Sequence, residues 1–349
     1  MTIARLRRWA STVAFLALGA HGSVGLAADA APRVVKVLVI TMFPPEAQPF
    51  VDAFALDEKI PVPGLSPDHP ELRCNADDVC LVIAGMGHAN VAASTLAVTL
   101  DPRFDFRRSY VLIAGIAGID PAQGTLGTAA WARWLVDVGI AHEIDAREMP
   151  AHWRSGYYGI LTQGPGEKPK LEYHTEVARV DEALLQAALA LSRDATLADD
   201  PKARAYRSRY REAAARAAPH VTQCDTLGGD TWWHGHRLGA HARAWTKLMT
   251  DGQGRYCTTQ QEDNATYNAL ERAAAAGRVD LKRLAVLRTG SNFDRPHPGQ
   301  SAHASLIAST TGATGGFGIA TKNLAHVGGL LVRDIVARWP LWREGVPAH

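Results

Sequence analysis

Beyond its first 27 residues the chain has no apolar run near the ~20 residues a membrane-spanning helix needs. Its longest later runs, around Val34–Ile40 and Tyr110–Ile119, suit buried strands instead. A pore made by this chain alone is therefore excluded, and the protein is expected not to be integral to a membrane. An excess of basic charge is also missing. The chain carries 37 Lys+Arg and 35 Asp+Glu; residues 1–27 hold three Arg and no acid, so the remainder has 34 against 35. Such a balance leaves no broad positive field for nucleic acid. Cysteine is scarce, at four residues, and no CxxC pair is among them. That removes the usual zinc spacings, and no metal or cofactor is expected.

What is present begins at the N-terminus. Arg5, Arg7 and Arg8 precede an apolar stretch from Trp9 to Ala20, followed by the small residues Gly25-Leu26-Ala27-Ala28. A basic start, a short apolar core and small residues at a cleavage point read as a secretory signal over residues 1–27. A membrane anchor is the competing reading, but a core of roughly 12 residues is too short for it. The mature chain is thus expected outside the cytoplasm, periplasmic or secreted, where cysteines pair. Cys74 and Cys80 flank the turn-rich Asn75-Ala76-Asp77-Asp78 between two strands, which leaves Cys224 to pair with Cys257.

Strand, glycine turn and helix then alternate. Val34–Thr41 reads as a strand, Glu46–Leu56 as a helix after Pro44-Pro45, Cys80–Ala84 as a strand and His88–Leu100 as a helix. Tyr110–Ala114 and Leu284–Thr289 add strands; helices are expected near Ala183–Ser192, Lys202–Ala218, Ala265–Ala276 and Thr321–Arg338. This order predicts one α/β domain over 33–349, three layers (α/β/α) around a mixed, mainly parallel sheet, with a helical insertion near 194–222. Such sheets bind ligands beyond the C-terminal ends of their strands, and polar residues concentrate there.

Taken singly, those polar residues have ordinary explanations: Asp263 or Asn264 caps a helix, Asp294 turns a loop, and tryptophans fill a core. Taken in order, six segments resemble the purine nucleoside permease family and, more distantly, the nucleoside phosphorylase and nucleosidase superfamily. They are Thr41–Glu46, Ala84–Asn90, Ala114–Gly118, Gly229–Gly235, Cys257–Asp263 and Arg288–Pro296. The resemblance implies a nucleoside phosphorylase-like fold and purine nucleosides as ligands. It implies that Glu46 holds an attacking water, that Glu262 beside Gln261 takes the ribose hydroxyls, and that Trp232, with Trp233 next to it, stacks on the base. Gly87, His88 and Asp230 join the substrate contacts, while Ser291, Asn292 and Asp294 occupy the end that acts on the purine. A subunit that borrows a residue from a second copy is common in the superfamily, so a homodimer is an expectation too.

The chemistry fits those residue types. Breaking a purine N-glycosidic bond builds positive charge on ribose and negative charge on the base, so carboxylates belong at the sugar and a donor belongs at purine N7. Asn292 stands where the hydrolases carry an aspartate; it can hydrogen-bond N7 without ionising. Ile116 replaces a hydroxyl residue, and no arginine stands in Ala114–Gly118 or just after the first strand to grip phosphate. Hydrolysis to base and ribose is the first reading. Capture of nucleosides for a transporter partner, without turnover, is the second, and phosphorolysis the third.

Overall fold

The computed structural model describes residues 31–347, so the expected signal lies outside the described residues. Twelve strands form one sheet. In chain order they are β1 (Val37–Thr41), β2 (Glu58–Pro61), β3 (Glu71–Cys74), β4 (Val79–Ile83), β5 (Tyr110–Ile119) and β6 (Ala129–Trp131). The second half supplies β7 (Trp134–Asp137), β8 (Val177–Arg179), β9 (Val221–Gln223), β10 (Asp225–Gly228), β11 (Tyr256–Gln260) and β12 (Leu284–Phe293). The main path runs β8-β7-β10-β11-β5-β1-β4-β3-β2, and β12 adds to β5 and carries β6 and β9. The pairs β4-β1, β1-β5, β5-β12 and β7-β10-β11 are parallel; β11-β5 and the edge pairs β2-β3, β3-β4 and β7-β8 are antiparallel.

Covering both faces explains the composition of the central strands. All five residues of β1 and all ten of β12 are buried, so β1 and the first four residues of β12 read as near-continuous apolar runs rather than alternating ones. Helices α1 (Pro44–Phe54) and α3 (Glu182–Ser192) both pack on α7 (Gly316–Ala337), which lies along β5 and β12. Helix α2 (His88–Leu100) packs with α6 (Asp263–Ala275), while α5 (His236–Met249) sits beside β11. The result is the expected three-layer α/β domain. Among the described residues no helix is long and apolar enough to cross a membrane.

One departure from the expected elements has a clear physical cause. Lys202–Ala218 is not one helix: α4 (Pro201–Arg207) stops, and a short turn of helix resumes at Ala213–Arg216. The break buries Tyr210, whose hydroxyl donates to Arg295 O at 2.8 Å and whose ring packs on Phe293. A straight helix could not have satisfied that hydroxyl there. The larger excursion lies between β7 and β8, at residues 138–176, where a small hairpin pairs His142–Glu143 with Tyr157–Tyr158. Sequence patterning across that stretch suggested no element.

Both disulfides form as expected, Cys74–Cys80 across the β3-β4 hairpin and Cys224–Cys257 between β10 and β11. The second spans 33 residues. A crosslink of that span stabilises by about 3–4 kcal/mol in the chain-entropy account. Replacing both Cys224 and Cys257 with Ala should therefore lower the unfolding free energy by that much, read as a fall in the urea midpoint. A loss below about 1 kcal/mol would mean that the unfolded chain is not the state the bridge restrains.

Candidate functional site

A cleft of about 280 Å3 opens where β1 and β11 end, against Ile116–Gly118 of β5 and Arg288 of β12, and Glu46, Trp232, Gln261, Glu262, Ser291 and Asn292 all line it. Its position follows from how β5 changes partners. On one edge β5 pairs with β1 only as far as Ile113, and β11 does not join until Gly118. In the gap, Ile116 N donates to Glu46 Oε1 at 2.7 Å instead of to a strand. Glu46 Oε2 accepts from Met42 N at 2.8 Å. The carboxylate thereby closes the opening between two strands and is itself buried. Burial pushes its pKa from an ordinary 4.5 up to about 7; Arg288 opposes the rise and Glu262 adds to it.

Arg288, in the middle of β12, organises the sugar side. Its Nη2 donates to Asp263 Oδ1 (2.6 Å) and Glu262 Oε2 (3.1 Å), its Nε to Asp263 Oδ1 (3.1 Å), and its Nη1 to Ile116 O (3.1 Å). Burial alone would disfavour the guanidinium charge, but Asp263 and Glu262 more than offset it and hold the pKa above its usual value. Gly115 makes room for this group, since a methyl at that position would overlap the guanidinium. Sequence reasoning assigned Arg288 no role. The available signal was a single arginine inside the otherwise apolar run Leu284–Leu287 that leads into Thr289-Gly290. Asp263 had been expected as a helix cap. The cap is instead the Gln260 side chain, whose Oε1 accepts from Glu262 N (2.6 Å) and Asp263 N (2.8 Å). That frees both carboxylates for the arginine.

The base side is built by a bulge. β12 and β5 stay in register to Gly290↔Ala117, then shift so that Asn292 faces Gly118 and Ser291 is the extra residue. The Ser291 hydroxyl lies within reach of Ala117 O (3.2 Å) and Asn292 Oδ1 (3.1 Å), and Asn292 Nδ2 donates to Phe293 O (3.0 Å). Trp232 stands at the mouth, 50% exposed, near the Phe43–Phe317 pair.

Five expected site residues lie elsewhere. Gly87 stands behind the cleft, with φ +85° and its N–H 3.4 Å from Glu262 Oε1; a glycine is needed for that left-handed turn into α2. His88, Asp230 and Trp233 line a separate, larger cavity. Asp294 lines neither: Tyr256 donates to its Oδ2 (2.8 Å) and Arg295 to its Oδ1 (3.0 Å). Burial pushes Asp294 up to about 7, with Arg295 opposing and Asp120 adding to the rise. It lies just past the end of β12, where these partners hold it, so it braces the loop rather than facing a ligand.

A model of the purine nucleoside permease family matches residues 34–347, nearly the whole described chain. The chain belongs to the purine nucleoside permease family. A probable purine nucleoside permease of Schizosaccharomyces pombe is 37% identical over 321 residues, which cover 88% of this chain and 90% of the relative. The purine nucleoside permease of Candida albicans is 35% identical over 309 residues, 87% of this chain and 75% of its own. Among solved structures, futalosine hydrolase of Helicobacter pylori superposes with TM-score 0.54 at 13% identity, covering 86% of this chain and 98% of its own. The 5′-methylthioadenosine/S-adenosylhomocysteine nucleosidase of Neisseria meningitidis gives 0.52 at 16% identity, covering 86% and 99%. At such identities these structures establish a shared fold, and the family rests on the permease relatives.

Proposed function

We propose that this family member is exported, recognises purine nucleosides in the cleft, and hydrolyses their N-glycosidic bond in support of nucleoside uptake. The observation that carries the proposal is the joint placement of Glu46 and Glu262 around Arg288, with Asn292 and Trp232 in the same cleft. In this reading Glu262 accepts the ribose hydroxyls, Trp232 stacks on the base, and Glu46 takes a proton from water. The water oxygen bonds to the anomeric carbon as the carbon–nitrogen bond breaks, and the bonding pair stays on the purine. Asn292 Nδ2 gives its second N–H to N7, and the departing purine takes its proton from solvent. Arg288 is the only Lys or Arg lining the cleft among the described residues, and Asp263, Glu262 and Ile116 O engage it. This supports water over phosphate as nucleophile. Two disulfides fit a chain that works outside the cytoplasm.

Incubating the purified protein with inosine, adenosine and guanosine, with and without phosphate, tests the reading. Free base without phosphate is the expected result; strict dependence on phosphate, or tight binding without turnover, overturns it. Capture without turnover, for delivery to a transporter, is the second reading. Asn292 favours it, because an amide cannot supply the leaving purine with a proton, and so do the names of the permease relatives.

The ribose contact has its own test. Glu262→Gln should weaken inosine by about 10- to 100-fold, the scale of hydrogen bonds to a charged acceptor. The 2′,3′-dideoxy analogue should lose only a few-fold, as read by Trp232 fluorescence titration. An equal loss for both ligands would remove Glu262 from the ribose site.

A further inference from the structure

The larger cavity, about 640 Å3, opens at the C-terminal ends of the parallel strands β7 and β10. Open α/β sheets bind ligands in such crevices, and this one is separate from the nucleoside cleft, sharing only Thr231 with it. Asp137 ends β7, Asp230 follows β10, and Glu143 and Tyr157 reach in from the hairpin of the 138–176 excursion.

Its charge is one-sided. Three carboxylates line it, and among the described residues no Lys or Arg does. Each carboxylate is anchored through one oxygen. Asp137 Oδ1 accepts from Gly139 N (2.7 Å) and Ile140 N (2.9 Å), Asp230 Oδ1 from His88 N (2.7 Å), and Glu143 Oε1 from the Tyr157 hydroxyl (2.7 Å). Asp137 Oδ2 lies 3.9 Å from His88 Nδ1, beyond hydrogen-bond length. Burial raises the Asp137 pKa, with Ile140 N–H, His88 and Gly139 N–H opposing the rise. His241 does not compensate, because burial pushes its pKa down to about 4 and leaves it neutral.

A second observation points to a donor. Asn264 is 3% exposed and lines the cavity; its Nδ2 donates to Thr175 O (3.1 Å), while its Oδ1 has no partner in the protein. A buried acceptor without a donor is costly, and a ligand N–H would recover that cost. Trp233, Leu238 and Val138 add apolar wall.

We propose that this cavity is a second ligand site, for a small organic ammonium carried on an apolar or aromatic body. The ammonium sits between Asp137 Oδ2 and Asn264 Oδ1, its remaining charge faces Asp230 and Glu143, and the body lies against Trp233.

Calorimetry with 2-phenylethylamine as probe, on the full protein, tests this, with 2-phenylethanol as the uncharged analogue. The amine should bind saturably and at least tenfold more tightly than the alcohol. Asp137→Asn, which retains an acceptor for Gly139 N and Ile140 N, should weaken the amine by at least tenfold. Ala92→Phe fills the cavity from α2 and should abolish amine binding while leaving inosine binding intact. Equal affinity for amine and alcohol, absence of saturable amine binding, or amine binding that survives Ala92→Phe overturns the proposal. The readout is direct binding of the amine, so its failure is distinguishable from a failure of nucleoside hydrolysis.

Discussion

Glu46→Gln is expected to lower kcat for inosine hydrolysis by about 10²- to 10⁴-fold, the usual worth of a positioned general base. The nucleoside Kd should stay within a few-fold, because the amide keeps the side-chain shape and one acceptor for Met42 N or Ile116 N. The pH profile gives an independent reading. With its pKa at about 7, the wild-type carboxylate is mostly protonated at pH 6 and mostly ionised at pH 8. kcat/KM should therefore rise with pH through about 7 and level off, and the Gln variant should lose that limb. Full activity in the variant, or a flat wild-type profile from pH 5 to 8, would sink the assignment. Linkage sets the sign for stability. The folded pKa lies above the unfolded one, so the group's stabilising contribution is complete below about 4.5 and is lost as pH rises through about 7. Asp294 acts in the same direction between about 3.8 and 7. Catalytic competence and stability thus pull in opposite directions with pH at Glu46.

Arg288→Met should cost about 3–5 kcal/mol, the scale of a buried ion network that loses one sign of charge. Three buried carboxylates, Glu46, Glu262 and Asp263, face that guanidinium, and the Met side chain fills its space without its charge. The loss should be larger at pH 8 than at pH 5, since low pH lets the stranded carboxyls take up protons. Arg288→Lys should fall between, because a single ammonium cannot serve Asp263, Glu262 and Ile116 O together. Urea unfolding at the two pH values measures all of this. A loss under about 1 kcal/mol for both variants would show that the cluster carries no net charge on folding.

Much of the frame was legible because its signals are local. Pro44-Pro45 opens α1, Gly87 opens α2 at the expected His88, and the turn between Cys74 and Cys80 closes a hairpin. The cleft residues Glu46, Glu262, Ser291 and Asn292 could be named because they sit in short segments that resemble a family as segments. Residues that act across long separations were harder. Asp263 reads as a cap until Gln260 is seen to hold the helix start, and Arg288 reads as one polar residue in a strand until two carboxylates surround it.

The sequence by itself left strands β6 to β11 and helix α5 unread, but it determined the alternation of strand and helix from Val34 to Ile119, the disulfide partners and the family. Those depend on patterns within a few neighbouring residues and on motifs kept in line. Only the tertiary structure decided which face each strand-end residue serves. A one-residue bulge brings Ser291 and Asn292 both to the cleft, while Asp294, past the end of β12, is held by Tyr256 and Arg295; the bond from His88 N, at the start of α2, to Asp230, after β10, gives both residues to the second cavity. Side chains alternate along a strand, so one inserted residue changes which of them meet a ligand. That insertion is a property of the pairing between β5 and β12, which lie far apart in the chain.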